Sequence, residues 1–415
     1  MIAGLLEQLG IATLDDVPSK GKAILTRVDI NSPVDASTKT LTDDSRIREH
    51  ALTIKELSEK KAKVIILAHQ GRKGDPDFIS LEQHARILSK ILSFPVKFVP
   101  DVMGDVAKEA IKDMKPGEIL MLDNVRLLPE ETLERTPIEH SRGELVSAIS
   151  PLADYFVNDA FAAAHRSHAS IVGFTAVLPS AAGRVMEREL AALSKVAGKP
   201  EKPSIYVVAG AKPKESFRVA QHVLQNGIAD DVMTGGLVAN VFLKAKGLEL
   251  GEANENILDQ KGFTQFISGA REMLERFPER ILTPVDLAVD MQGSRSEIVV
   301  DDLPTNYYIK DIGKKTVEFY GRLLMQAKSI VVNGPMGVYE EDNFAYGTKE
   351  ILHALTKTKA FSVVGGGHSL AAVYKFGFEK KLPHVSTAGG ALISYLSGET
   401  LPGIEALKNA SKKFA

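Results

Sequence analysis

Short apolar, β-branched runs recur along nearly the whole chain, and longer amphipathic stretches separate them. In the first half the runs are AILTRVDI (23–30), KVIILAH (63–69), VKFVPD (96–101), EILMLDNVR (118–126) and DYFVNDAF (154–161). In the second half they are SIYVVAGAK (204–212), DDVMTGG (230–236), ILTPVDLAV (281–289), SIVVNGP (329–335), FSVVGGG (361–367) and HVSTAGG (384–390). Most are continuous rather than alternating, as in strands of a parallel sheet covered by helices on both faces. Between them, LEQHARILSKIL (81–92) places Leu81, Ala85, Leu88 and Leu92 on one helical face. The pattern is that of repeated βαβ units. With 415 residues the chain exceeds one core of ordinary size, so two domains are expected.

A break falls in the middle. SAAGRVMERELAALSKVAGKPEKP (180–203) reads as a helix with no strand in it, ending in Gly198, Pro200 and Pro203. The expected organisation is one domain over 1–179, a helical connector over 180–200, a second domain over 201–395, and a C-terminal segment over 396–415 that packs back on the first domain. LPGIEALKNASKKFA (401–415) reads as a short helix within that segment. The fold class is α/β, with two doubly wound, Rossmann-like parallel sheets facing a cleft.

Composition removes several classes of function. Formal net charge is -2, from 51 basic and 53 acidic side chains, which gives no argument for a nucleic-acid or anionic-membrane partner. The chain has no cysteine, so disulfides, thiolate chemistry and Cys-based zinc sites are excluded. No apolar stretch approaches the roughly 18–20 residues of a membrane span. MIAGLLEQLGIATLDD carries an early Glu7 and no basic region, so it does not read as a signal peptide, and the expected compartment is the cytoplasm.

Ligands of open parallel sheets sit at the carboxyl ends of the strands. In the first half these ends carry Arg27, Asp29 and Asn31; His69 and Arg72; Asn124 and Arg126; and Asn158, Asp159, His165, Arg166 and His168, with Arg46 and Arg48 after the first strand. Guanidinium groups recurring at one sheet edge form a site for an anion with several oxygens. His165 and His168 have the i, i+3 spacing of a metal pair, but no third ligand lies at ligand spacing, and anion binding fits better. In the second half the strand ends are glycine-rich: Gly210-Ala211-Lys212, Gly235-Gly236, Gly334-Pro335-Met336-Gly337, Gly365-Gly366-Gly367 and Gly389-Gly390. Such loops let backbone N–H groups and helix N-termini face a phosphate chain. One domain thus suits a small polyanion and the other a nucleotide, which suggests phosphoryl transfer. There is no Walker G-x-x-x-x-G-K-[ST], no protein-kinase H-R-D…D-F-G set, and no G-x-G-x-x-G after a strand. The alternatives are a nucleotide- and anion-binding protein without transfer activity and, more weakly, a dehydrogenase on a doubly wound fold.

The ordered motifs RVDINSPVD, TDDSRIR, AHQGR, LDNVR, NDAFAAAHRSHASIVGF, GAK, NGPMGVYE, FAYGT, GGGHS, HVSTAGGA and LPGIEAL resemble those of the phosphoglycerate kinase family, over essentially the whole chain. The resemblance implies reversible transfer between 1,3-bisphosphoglycerate and ADP, giving 3-phosphoglycerate and ATP, with Mg²⁺ carried by the nucleotide and with direct in-line transfer in a closed cleft. It implies that Asp29, Ile30, Asn31, Arg46, His69, Gln70, Gly71, Arg72, Arg126 and Arg166 bind 3-phosphoglycerate, with His165 and His168 adding positive potential. It assigns Lys212, Gly235, Gly236, Asn333, Pro335, Glu340, Gly365, Gly366, Gly367, His368 and Ser369 to the nucleotide. Arg46, Lys212, Gly366 and Gly389 would act on the group in transfer, with Gly390 beside them. A monomer is expected, with a homodimer as the alternative. Two positions depart from the common bacterial and eukaryotic pattern. Ser216 stands where a second lysine is usual, and His368 stands where an aspartate helps hold magnesium. Both departures resemble the archaeal branch, and they leave the metal's protein ligand open.

Overall fold

The computed structural model describes Leu6 and residues 8–414; the start of the segment read against a signal peptide, including Glu7, lies outside them. The chain forms two compact units, one of residues up to Ala191 together with Thr400 onward, the other Ala192–Glu399.

The first unit is built on strands β1 (Ala23–Arg27), β2 (Lys63–Leu67), β3 (Val96–Val99), β4 (Ile119–Leu122), β5 (Tyr155–Asn158) and β6 (Ser180–Ala182). They form one sheet in the order β3-β4-β2-β1-β5-β6, parallel throughout. The runs are continuously apolar because both faces are covered. Ile24, Val64, Ile66, Ile119 and Met121 enter one core, and Leu25, Ile65, Leu67, Leu120 and Leu122 enter the other. In the register Arg27 lies beside Leu67 and Asn158. The residues that follow these strands therefore leave the sheet at one level, on one edge.

The second unit carries β7 (Ser204–Val208), β8 (Asp231–Thr234), β9 (Ile281–Leu282), β10 (Asp286–Met291), β11 (Ser294–Val299), β12 (Tyr308–Ile312), β13 (Ser329–Asn333), β14 (Phe361–Gly365) and β15 (His384–Val385). Six of them form a parallel sheet ordered β15-β14-β13-β7-β8-β9. The chain winds outward in both directions from β7, which lies between β13 and β8. The loops after β7 and β13 thus flank the topological switch point.

Two readings of the sequence are corrected. The 180–203 stretch is not helical from its start: Ser180–Ala182 pairs with β5 as the sixth strand, and the helix begins at Arg184. A run of three small residues carries no strand signature, because its pairing is set by the sheet edge and not by β-propensity. ILTPVDLAV is not one strand. It breaks at Pro284, which has no N–H for a ladder, into β9 and β10. The latter belongs to a separate antiparallel sheet ordered β11-β10-β12. The C-terminal helix Pro402–Lys413 packs beside β6, and Ser411 Oγ accepts the Ala12 N–H at 2.9 Å.

Candidate active site

At the carboxyl edge of the first sheet, arginines outnumber the ion pairs they make. Arg27, Arg72, Arg126 and Arg166 have no ion-pair partner among the described residues. Arg27 and Arg126 are buried, Arg166 is half-buried and Arg72 is exposed. Burial, with Arg166, Arg27 and Arg72 close by, pulls the Arg126 guanidinium down to about 10. Positive charge assembled against its own repulsion is a site prepared for an anion. Arg27 is anchored from behind. Its Nε donates to Ser170 Oγ at 2.8 Å, and Ser170 Oγ donates to the buried Glu131 at 2.7 Å. Glu131 carries no signal in the sequence, since it looks like an ordinary polar residue of a loop, and Ser170 lies within a quoted motif without standing out there.

Asp29 is one of three buried aspartates at this edge, with Asp123 and Asp159. Arg46, on the first turn of the helix Ser45–Glu59, donates to its Oδ2 at 2.5 Å. Burial alone would raise the Asp29 carboxyl, but the Arg46 guanidinium first, with Arg27 behind it, holds it well below the usual range. Asn31 Oδ1 accepts the Gly71 N–H at 2.8 Å, and the Arg126 guanidinium donates to the Gly71 carbonyl. Gly71 sits at φ +64°, and a Cβ there would lie 2.5 Å from the Asp77 backbone, so the turn admits no side chain. Gln70 is fully buried. Its amide accepts from Ser32 N at 2.8 Å and donates to Ser32 O at 2.9 Å, so it holds loops together and does not offer its side chain to a ligand. Ile30 is buried as well.

The histidines correct one expectation. His165 and His168 do not add positive charge near neutral pH, because burial and then Arg166 lower both, His168 to about 3. His69 is also held well below its ordinary value, chiefly by burial. Arg27 donates to His69 Nδ1 at 3.0 Å; a guanidinium has only donors, so the His69 proton resides on Nε2. These rings are neutral near pH 7. Because the folded pKa of His168 lies below the unfolded one, the unfolded chain binds the proton first as pH falls, and stability drops below about pH 6.5. For His168 the loss at pH 5 is about 2 kcal/mol, from roughly 1.4 kcal/mol per unit. His168→Gln should flatten the fall of the urea midpoint between pH 7 and pH 5; an unchanged slope would show that this ring does not stay neutral in the fold.

In the second unit, three helix N-termini border one small cavity of about 100 Å³: those of Pro213–Gln225, Gly367–Lys375 and Gly390–Leu396. Lys212, Asn333, Pro335, Gly366, His368 and Ser369 are among its lining residues, as are Gly389 and Gly390. Unbonded N–H groups and the positive ends of helix dipoles meet there, an arrangement suited to phosphate oxygens. Lys212 is exposed and lies 3.6 Å from Glu215. Ser369 is buried, and its hydroxyl accepts the Gly334 N–H at 2.8 Å, joining the loops after β13 and β14. Gly365 ends β14. Gly235 caps the helix Gly236–Ala245.

A larger cavity of about 630 Å³ adjoins the first, sharing Gly210, Ala211, Pro335 and His368. Its walls include Leu237, Ile257, Leu287, Ile309 and Val338, and Glu340 stands at it with an oxygen 3.7 Å from His368 Nδ1. An apolar slot beside a phosphate cradle has the form of a nucleoside site. Several of these wall residues come from 245–325, the stretch poorest in motifs, because aliphatic wall positions leave no pattern in a sequence.

A family model described as phosphoglycerate kinase matches residues 14–399. The chain is 47% identical over 401 residues to the phosphoglycerate kinase of Methanothermus fervidus, covering 97% of this chain and 98% of that one. It is 48% identical over 398 residues to that of Methanothermobacter thermautotrophicus, covering 96% and 97%. The crystal structure of the Pyrococcus horikoshii OT3 phosphoglycerate kinase superposes with a TM-score of 0.89 at 42% identity, covering 97% of this chain and 100% of that one. On a family match over nearly the whole chain, relatives at 47–48% identity and a shared fold, this chain belongs to the phosphoglycerate kinase family.

Proposed function

We infer that the chain catalyses reversible phosphoryl transfer from the acyl phosphate of 1,3-bisphosphoglycerate to ADP, giving 3-phosphoglycerate and ATP. The observation that carries this reading is that the two parallel sheets end in anion sites of different kinds, an arginine cluster and a glycine-lined cradle of helix N-termini. In the first unit Arg72, Arg126 and Arg166 neutralise the remote phosphate, with His69 as a neutral donor, while Asp29, Asn31 and the backbone of Ile30, Gln70 and Gly71 shape the rest of the site. Arg46 meets the transferring group. In the second unit Lys212, Gly366, Gly367 and Gly389 surround the nucleotide's phosphates, Gly235, Gly236, Asn333 and Pro335 line the approach, and Glu340 takes ribose hydroxyls.

The chemistry needs no enzyme nucleophile. A β-phosphate oxygen of ADP attacks the phosphorus at C1, the bond to the carboxyl oxygen breaks, and the carboxylate leaves. The enzyme positions both ligands and neutralises equatorial charge. Magnesium fits as part of the Mg-nucleotide substrate. Among the described residues no group of three His, Asp or Glu forms a cage, and the His368 imidazole is a poor ligand for an ion that prefers oxygen. Among the described residues no helix is long and apolar enough to cross a membrane, and we assign the activity to the cytoplasm with its substrates. A coupled assay with 3-phosphoglycerate and Mg-ATP tests the reading. Turnover is expected; binding of both ligands without turnover would favour a binding protein.

A further inference from the structure

The helix Gly236–Ala245 is the most apolar helix bordering the larger cavity, with Val238, Ala239, Val241, Phe242 and Leu243 all buried. Two polar side chains interrupt it, Lys244 in its last turn, paired with Glu255, and the buried Asn240. Asn240 is 2% exposed, lines the cavity, and its Oδ1 is buried with no hydrogen-bond partner among the described residues. A buried amide oxygen left unpaired costs folding free energy unless something else satisfies it. Asn240 lies one turn beyond Gly236, on the same helical face, about 6 Å further along the axis. The cavity holds a second such group. Asp311, on β12, lines it too. Its Oδ2 accepts from Gly347 N at 2.7 Å and from Arg295 at 2.8 Å, while Oδ1 has no partner among the described residues. Two buried acceptor oxygens without partners, on residues that line one cavity, call for a ligand that brings N–H donors.

We propose that Asn240 reads the nucleobase, its amide oxygen accepting from the exocyclic amine of a 6-aminopurine and its amide nitrogen donating to a neighbouring ring nitrogen. An asparagine amide matches that donor–acceptor pair of adenine in a bidentate way. The inference rests on the nucleotide reading of the second unit and adds base selectivity to it. The apolar walls supply affinity for any base, and Asn240 supplies the preference.

The test is a double-mutant cycle on binding, with ADP and purine riboside 5′-diphosphate, which lacks the 6-amino group, titrated against the unaltered chain and Asn240→Leu. Losing either partner should weaken binding about tenfold, and losing both should cost little more than losing one. Melting of the ligand-free Asn240→Leu protein should not fall, because an unpaired amide is replaced by a side chain of similar size; Asn240→Ala serves if leucine does not fit. Additive losses, or equal affinity of the variant and the unaltered chain for ADP, would overturn the proposal. Affinity is read here without turnover, so an inactive but ADP-binding protein would defeat the kinase reading and leave this result standing.

Discussion

Arg46→Ala is expected to lower kcat by about 10³-fold, the scale of removing one transition-state charge partner, while the KM for 3-phosphoglycerate changes by less than about tenfold. The argument starts from the 2.5 Å contact between Arg46 and Asp29 Oδ2. A buried carboxylate, kept ionised by its cationic neighbours, aims a half-exposed guanidinium from the start of a helix. In the proposed role, the charge that Arg46 faces grows as the phosphoryl group separates from both oxygens, so its stabilisation would be larger in the transition state than in the bound complex. Arg46→Lys keeps the charge but not the planar fork, and should fall between the two. Equal losses in turnover and substrate affinity would remove Arg46 from the transition state and make it a binding residue.

Gly334→Ala should be among the most damaging single methyls in the second unit, costing about 3–5 kcal/mol and nucleotide binding with it. Gly334 sits at φ +95°, and a Cβ there would lie 2.0 Å from the Ala209 carbonyl oxygen. Neither loop can yield easily. Ala209 N donates to Asn333 O at 2.9 Å, Gly334 N donates to Ser369 Oγ at 2.8 Å, and β7 and β13 are fixed in register beneath them. Gly269→Ala is the control: it lies within the helix Ile267–Arg276 with open space around its would-be Cβ among the described residues. That change should raise stability by up to about 1 kcal/mol. Urea denaturation of both variants checks the contrast, and a Gly334→Ala protein as stable as the parent would mean that the loops after β7 and β13 are not held so close.

What the sequence reveals follows from how each feature is encoded. The two sheets are legible because residues such as Ile65 and Val332 must be apolar when both faces are covered. The strand-end arginines and glycines are legible because the topology sends them to one edge. β6 is hidden because Ser180, Ala181 and Ala182 are placed by the partner strand and carry no propensity of their own. The charge state of His168 is hidden because it depends on burial and on Arg166, Arg126 and Arg27, which come from three separate segments. Gln70 lies within a motif, yet its buried amide serves the scaffold, a distinction only packing can make. Asn240 looks like a neutral surface residue until its helix is seen to be buried.

Single-turnover transfer of label is the most direct measurement of the central claim. Enzyme in excess is mixed with Mg-[γ-³²P]ATP and quenched at short times, with and without 3-phosphoglycerate. Label should move to the carboxyl of 3-phosphoglycerate when both ligands are present, and none should remain on the protein in either case. Label trapped covalently on the chain, or ATP consumed without labelled 1,3-bisphosphoglycerate, would contradict direct transfer between ligands held by the arginine edge and the glycine cradle.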